Sequence, residues 1–176
     1  MFWDQIIVSL AEFLLTIFLA VFVVFWSYKS FDKINTGFDA QTEIYNGNVA
    51  VATLMAALMF ATSRIMREAI YPVISILQVG ITGGGHALWT LGLYAIGHLF
   101  FAFLLSVGCV QFAMKFFAKL NSGFDEIEQI HKGNTAVAVI MGAVILIVAM
   151  FMQSGVSALT KSLIPQPELG DLRIMD

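Results

Sequence analysis

Lys29–Met55 reads KSFDKINTGFDAQTEIYNGNVAVATLM, and Lys115–Met141 reads KFFAKLNSGFDEIEQIHKGNTAVAVIM. The two stretches align without a gap, and 14 of their 27 positions are identical. The identities include Lys29 with Lys115, Lys33 with Lys119, Gly37 with Gly123, Asp39 with Asp125 and Asn48 with Asn134. A polar passage written twice marks internal duplication, and duplication decides architecture before any single element does. Long apolar runs flank each copy. In the first half they extend from about Ile6 to Tyr28 and from Val49 towards Ser63, continuing after RIMRE into AIYPVISILQVGI. In the second half they extend from Ala87 to Phe117 and from Thr135 to about Gln153, with a tail to Ile164.

Composition says what solvent those runs meet. The chain has 176 residues, 59% hydrophobic and 12% charged, with 16 Phe. A soluble domain carries roughly 25% charged residues, whereas a membrane-spanning helix needs about 20 mostly apolar ones. No segment shows the in-out alternation of a barrel strand, and lipid tolerates only backbones that satisfy themselves. The sequence therefore predicts an all-α integral membrane protein with four transmembrane helices, built from two tandem two-helix repeats. Each unit crosses an even number of times. The halves are accordingly expected to be related by a pseudo-two-fold along the membrane normal, with both polar passages on one side. The expected organisation is a first repeat at 1–78, a glycine-rich joint at 79–86, a second repeat at 87–164 and an extended tail at 165–176.

The polar passage has a local grammar. Gly37 suits the residue after a helix end, and Asp39 suits an N-cap of a short following helix. In the second copy Asp125 and Glu128 form a capping-box pattern. The pair Gly-Asn then ends the short helix, and Asn48 or Asn134 is expected to cap the next span or to bind a partner or ion. Small residues follow: Ala50, Ala52, Ala56, Ala57 and Ala61 in the second span, and Ala136, Ala138, Gly142 and Ala143 in the fourth. Ala52/Ala56, Ala57/Ala61 and Ala138/Gly142 have the small-xxx-small spacing that lets backbones approach closely in lipid. Bulky Phe13, Phe18, Phe22, Phe25, Phe100, Phe101 and Phe103 load the first and third spans. The second and fourth spans are thus expected at the centre.

The doubled GNVAVA and GNTAVA, each opening a small-residue span after a short polar helix, resemble the bacterial membrane family called domain of unknown function 350, which includes the YjfL-like proteins. That family's unit has two spans and a motif of Asn, then Thr or Val, then Ala-x-Ala. Asn48, Val49, Ala50 and Ala52 match it in one half, and Asn134, Thr135, Ala136 and Ala138 in the other. The resemblance covers most of residues 5–160. It implies a bacterial-type inner-membrane protein and brings no catalytic residue with it.

Ionisable residues inside a span are functional candidates by default. Glu12 and His98 occupy equivalent places in the two halves. Three readings stay open: a wetted Glu12 with a His98 that makes one interhelix hydrogen bond, a structural Glu–His pair, and a proton or ion path. Arg64, Arg67 and Glu68 begin 16 residues beyond Asn48, about 24 Å along a helix. That places them near the opposite interface, as snorkelling anchors or as an oligomer contact, with Arg64 and Glu68 at i,i+4. Lone Cys109 reads as a small core residue. An acid in MFWDQIIVSL, where a signal peptide is basic, makes the first apolar run a retained span.

The histidines His86, His98 and His131 lack metal-ligand spacing, GITGGGH is not a phosphate loop, and no serine sits in a nucleophile elbow. The expectation is no enzyme, no cofactor and no metal. A net charge of −3 gives no reason to expect a nucleic acid. The expected partners are the lipid bilayer and a second copy of the chain or other membrane subunits. By the positive-inside rule, Lys29, Lys33, Lys115, Lys119 and Lys132 set the doubled loops in the cytoplasm, against Arg64, Arg67, Lys161 and Arg173 opposite. Two functions compete: an oligomeric scaffold or accessory subunit, and a small conduit using Glu12 and His98.

Overall fold

The computed structural model describes residues 2–34, 37–81, 88–120, 123 and 125–162. Every element among them is helical: α1 (Phe2–Ile34), α2 (Ala40–Tyr45), α3 (Val49–Arg67), α4 (Ile70–Ile81), α5 (Leu88–Leu120), α6 (Glu126–His131) and α7 (Thr135–Ser162). Four stretches are long and apolar enough to cross a bilayer: Gln5–Phe31, Val49–Ile76, Trp89–Lys119 and Thr135–Leu159. The chain is a multi-pass membrane protein. Most of the joint (82–86) and the tail (165–176) lie outside the described residues. So do residues 35 and 36, beside the turn expected at Gly37.

The short helices follow from their caps. Asp39 accepts from the Thr42 backbone N–H at 2.8 Å and also from the Thr42 hydroxyl. Asp125 accepts from the Glu128 N–H at 3.0 Å. Gly47 and Gly133 then turn the chain at φ of +86° and +87°, where a Cβ would be strained and only glycine is at ease. The next residue is in each case the asparagine that opens a spanning helix.

The second span is not one helix. It breaks at Glu68–Ala69, between α3 and α4, at the end of the polar RIMRE that interrupts the apolar run. Pro72 supplies the cause. A helix would need an N–H at position 72 to reach the carbonyl of residue 68, and proline has none and crowds that carbonyl. The turn tightens instead, with the N–H groups of Glu68 and Ala69 bonded to the carbonyls of Ile65 and Met66.

Packing centres on α3. In the most apolar stretch of the second span 56% is buried, against 39% for the third, 28% for the fourth and 17% for the first. Helix α3 packs along α7 and also touches α1 and α5, while α5 reaches α3, α4 and α7. The second span is the most covered and packs mainly along the fourth, as expected, while over their described residues α5 and α7 are buried to similar extents. The main core joins Val51, Leu54, Met55, Leu58, Ala61 and Ile65 of α3 to Ala138, Met141, Ile145 and Ala149 of α7. A second cluster ties α1 to the α3–α4 break and α5 through Leu19, Val23, Met66, Ala69 and Ala102. Phe22 and Trp26 add edge-on ring contacts to Phe103, at 5.3 and 5.8 Å between centroids.

Candidate functional site

The densest polar geometry lies where the two copies of the doubled passage meet. Asn48 caps α3: its Oδ1 accepts from the N–H groups of Ala50 at 3.1 Å and Val51 at 3.2 Å. Its Nδ2 donates to Glu43 Oε2 at 2.9 Å and crosses to the other half, to the carbonyls of His131 at 2.7 Å and Ile130 at 3.5 Å. Glu43 also pairs with His131 Nε2 at 3.4 Å. The His131 ring stacks on Phe38, with centroids 4.4 Å apart and 12° between planes. Backbone cap, carboxylate–imidazole contact and ring stack thus bind the end of α6 to α2 and the start of α3. Asp39, held by the Thr42 hydroxyl, the Thr42 N–H and the Gln41 N–H, keeps its carboxyl below the ordinary aspartate range. Its cap therefore persists wherever the carboxylate is ionised and is lost only as pH falls through that lowered value.

Asn134 is the same residue with a lighter role. Its Oδ1 accepts from Val137 N–H at 3.3 Å and its Nδ2 reaches Gln129 Oε1 at 3.5 Å, both within its own half. It is exposed. Of the small residues beside these caps, Ala50 and Ala138 are fully buried, Ala52 is half-buried and Ala136 is exposed.

Two further contacts join the halves lower in the membrane. A Cβ placed on Gly142 would stand 3.0 Å from the Cβ of Ala57, so α3 and α7 touch almost backbone to backbone there. Ala57 and Ala61 are buried, but Ala56 is exposed. Ala56, expected to pack with them, turns outward within the single chain, one helical step (about 100°) before Ala57. Near the far end, Gln153 Nε2 donates to Glu68 Oε1. Among the described residues no ion pair joins Arg64 to Glu68. Arg64 is half-buried and Arg67 exposed.

The pseudo-two-fold expected from the repeat would make each of these three contacts twice. Each is made once, since the counterparts of the bonding groups, Asn134, Ala56, Ala143, Arg67 and Ser154, all lie exposed. Glu12 and His98 are not brought together either. Glu12 is exposed and its carbonyl accepts from Thr16. His98 is buried at 6% exposure, and its Nε2 has no hydrogen-bond partner among the described residues. Of the doubled charged surface, Lys29 lies 5.4 Å above the Phe25 ring and Lys115 and Lys119 are exposed. The Lys33 side chain is outside the described residues. Buried Cys109 lies in the main core.

A family model described as Domain of Unknown Function (DUF350) matches residues 1–156. The chain belongs to that family. The DUF350 match takes in α1 to α6 and most of α7, so it spans every contact described above. No curated protein and no solved structure matches the chain. Within this DUF350 chain, sequence reasoning missed the Glu43–His131 pair and the Glu68–Gln153 bond. Both partners were visible as polar residues at equivalent heights, but nothing in their spacing says that they meet.

Proposed function

We propose that the protein is a non-enzymatic scaffold or accessory subunit of a bacterial-type inner membrane, built from two copies of a two-helix unit. It works as an oligomer or within a larger membrane complex. One observation carries the reading: Asn48, Glu43, His131, Glu68 and Gln153 all hold helix to helix. Polar groups arranged this way act as interhelical glue. The conduit reading gains nothing comparable, because Glu12 faces outward and makes no bond to His98. The lysines of the doubled loops favour a cytoplasmic position for that side, with the N-terminal end of α1 on the periplasmic side.

Extraction in mild detergent tests this. The expected result is a particle with more than one 19.3 kDa chain or with other subunits. A lone chain that carries a pH-dependent flux in proteoliposomes, abolished by Glu12→Gln or His98→Ala, would overturn it.

A further inference from the structure

The scaffold reading leaves open what the chain assembles with, and the three contacts between its halves point to an answer. Each contact links a group on α3 or its flank to a group on α6 or α7, and each has a counterpart 86 residues along the repeat. Asn48 on the Ile130 and His131 carbonyls corresponds to Asn134 on the carbonyls of Ile44 and Tyr45. Ala57 against Gly142 corresponds to Ala143 against Ala56. Glu68 with Gln153 corresponds to Ser154 with Arg67. Within one chain none of these counterpart contacts is made, and their members stand on its surface: Tyr45 is 91% exposed, and Asn134, Ala56, Ala143, Ser154 and Arg67 are exposed.

The two surfaces have matching geometry. Ala143 and Ser154 are eleven residues apart on α7, and so are Ala56 and Arg67 along α3. Eleven residues is about three helical turns, so each pair lies on one face. The α7 face also carries exposed Ile140, Ile147 and Phe151. In lipid, burial of apolar surface does not drive such a meeting. Close approach at small residues and interhelical hydrogen bonds do. The guanidinium of Arg67, all donors and no acceptor, faces outward from a spanning segment, where a hydroxyl acceptor such as Ser154 would relieve it.

We infer that a second copy of this chain docks with its α2–α3 face against the outer face of α7. The contact repeats between chains the packing already present between the halves. On the parallel helices α3 and α7, Ala56 precedes Ala57 and Ala143 follows Gly142, so both turn to the same flank, and two copies related by a two-fold make both contacts reciprocally, α3 of each against α7 of the other. The inference rests on the scaffold reading and names its partner.

Cysteine cross-linking in native membranes tests it, in a Cys109→Ala background. One tagged chain carries Ala56→Cys and a differently tagged chain carries Ala143→Cys. Both sites are exposed, so the substitution disturbs no packing. A disulfide-linked pair is expected when the two are co-expressed and is expected to be lost when either is expressed alone. Self-linking of Ala143→Cys with no mixed product would overturn the inference, because it would place α7 against α7. No linking while a complex with foreign subunits persists in detergent would overturn it and leave the scaffold reading standing. No linking and no complex would remove both.

Discussion

At the scale of the residue, two asparagines with one local role carry different loads. Asn48 and Asn134 each cap a spanning helix, but only Asn48 also donates across to the other half. Losing a cap costs typically ~1 kcal/mol, and a further hydrogen bond contributes about 0.5–1.5 kcal/mol. Asn48→Ala is therefore expected to destabilise the protein by about 2 kcal/mol and Asn134→Ala by about half of that. Denaturant titration of the purified protein in micelles, followed by helicity, reads the difference. Equal losses would show that the cross-half bonds contribute nothing. The motif that defines the family resemblance was legible because capping is local: the side chain, the turn glycine and the first helical N–H groups lie within four residues. What Asn48 does beyond its own turn was not legible, since His131 lies 83 residues away.

At the scale of the element, adjacent positions on one helix have opposite fates. Gly142 sits against Ala57, while Ala143 lies exposed beside it. Gly142→Leu forces a side chain into a contact with no room. Overpacking of this kind costs typically 1–3 kcal/mol, and the α3–α7 pair should part. Ala143→Leu leaves the fold of the single chain within about 0.5 kcal/mol, as surface changes do. Unfolding of the two variants in detergent measures both, and indistinguishable midpoints would refute the assigned faces. The spacing rule that flagged Ala52/Ala56 and Ala57/Ala61 alike could not choose between them, because both stripes satisfy it. The break between α3 and α4 was legible in principle. RIMRE marks an interruption in the apolar run, but hydropathy alone does not say that the helix ends there, whereas the missing N–H of Pro72 does.

At the scale of the whole molecule, four spans place both copies of the doubled passage on one side. Tyr45→Cys and Lys132→Cys, each without Cys109, should react with a membrane-impermeant thiol reagent from the same side, and Trp89→Cys from the other. Labelling of Tyr45→Cys and Lys132→Cys from opposite faces would refute the four-span order. The helices themselves were expected because lipid leaves a backbone few choices, and length and composition alone then mark the spans. How the halves lie against each other was another matter. Repetition of sequence suggested a two-fold, yet α5 reaches α3, α4 and α7 while α1 packs on α3 and α4, and the bonds between halves occur once each.

The sequence by itself determined the helices, their caps, their turns and their immersion in lipid, because each depends on groups a few residues apart or on the solvent. Only the tertiary structure decided which stripe of α3 meets α7, that Glu68 finds Gln153 and not Arg64, and that Glu12 and His98 stay apart. Those outcomes turn on the rotation of one helix about its axis, where a single residue step swings a side chain by about 100°. No periodicity within either helix records that angle.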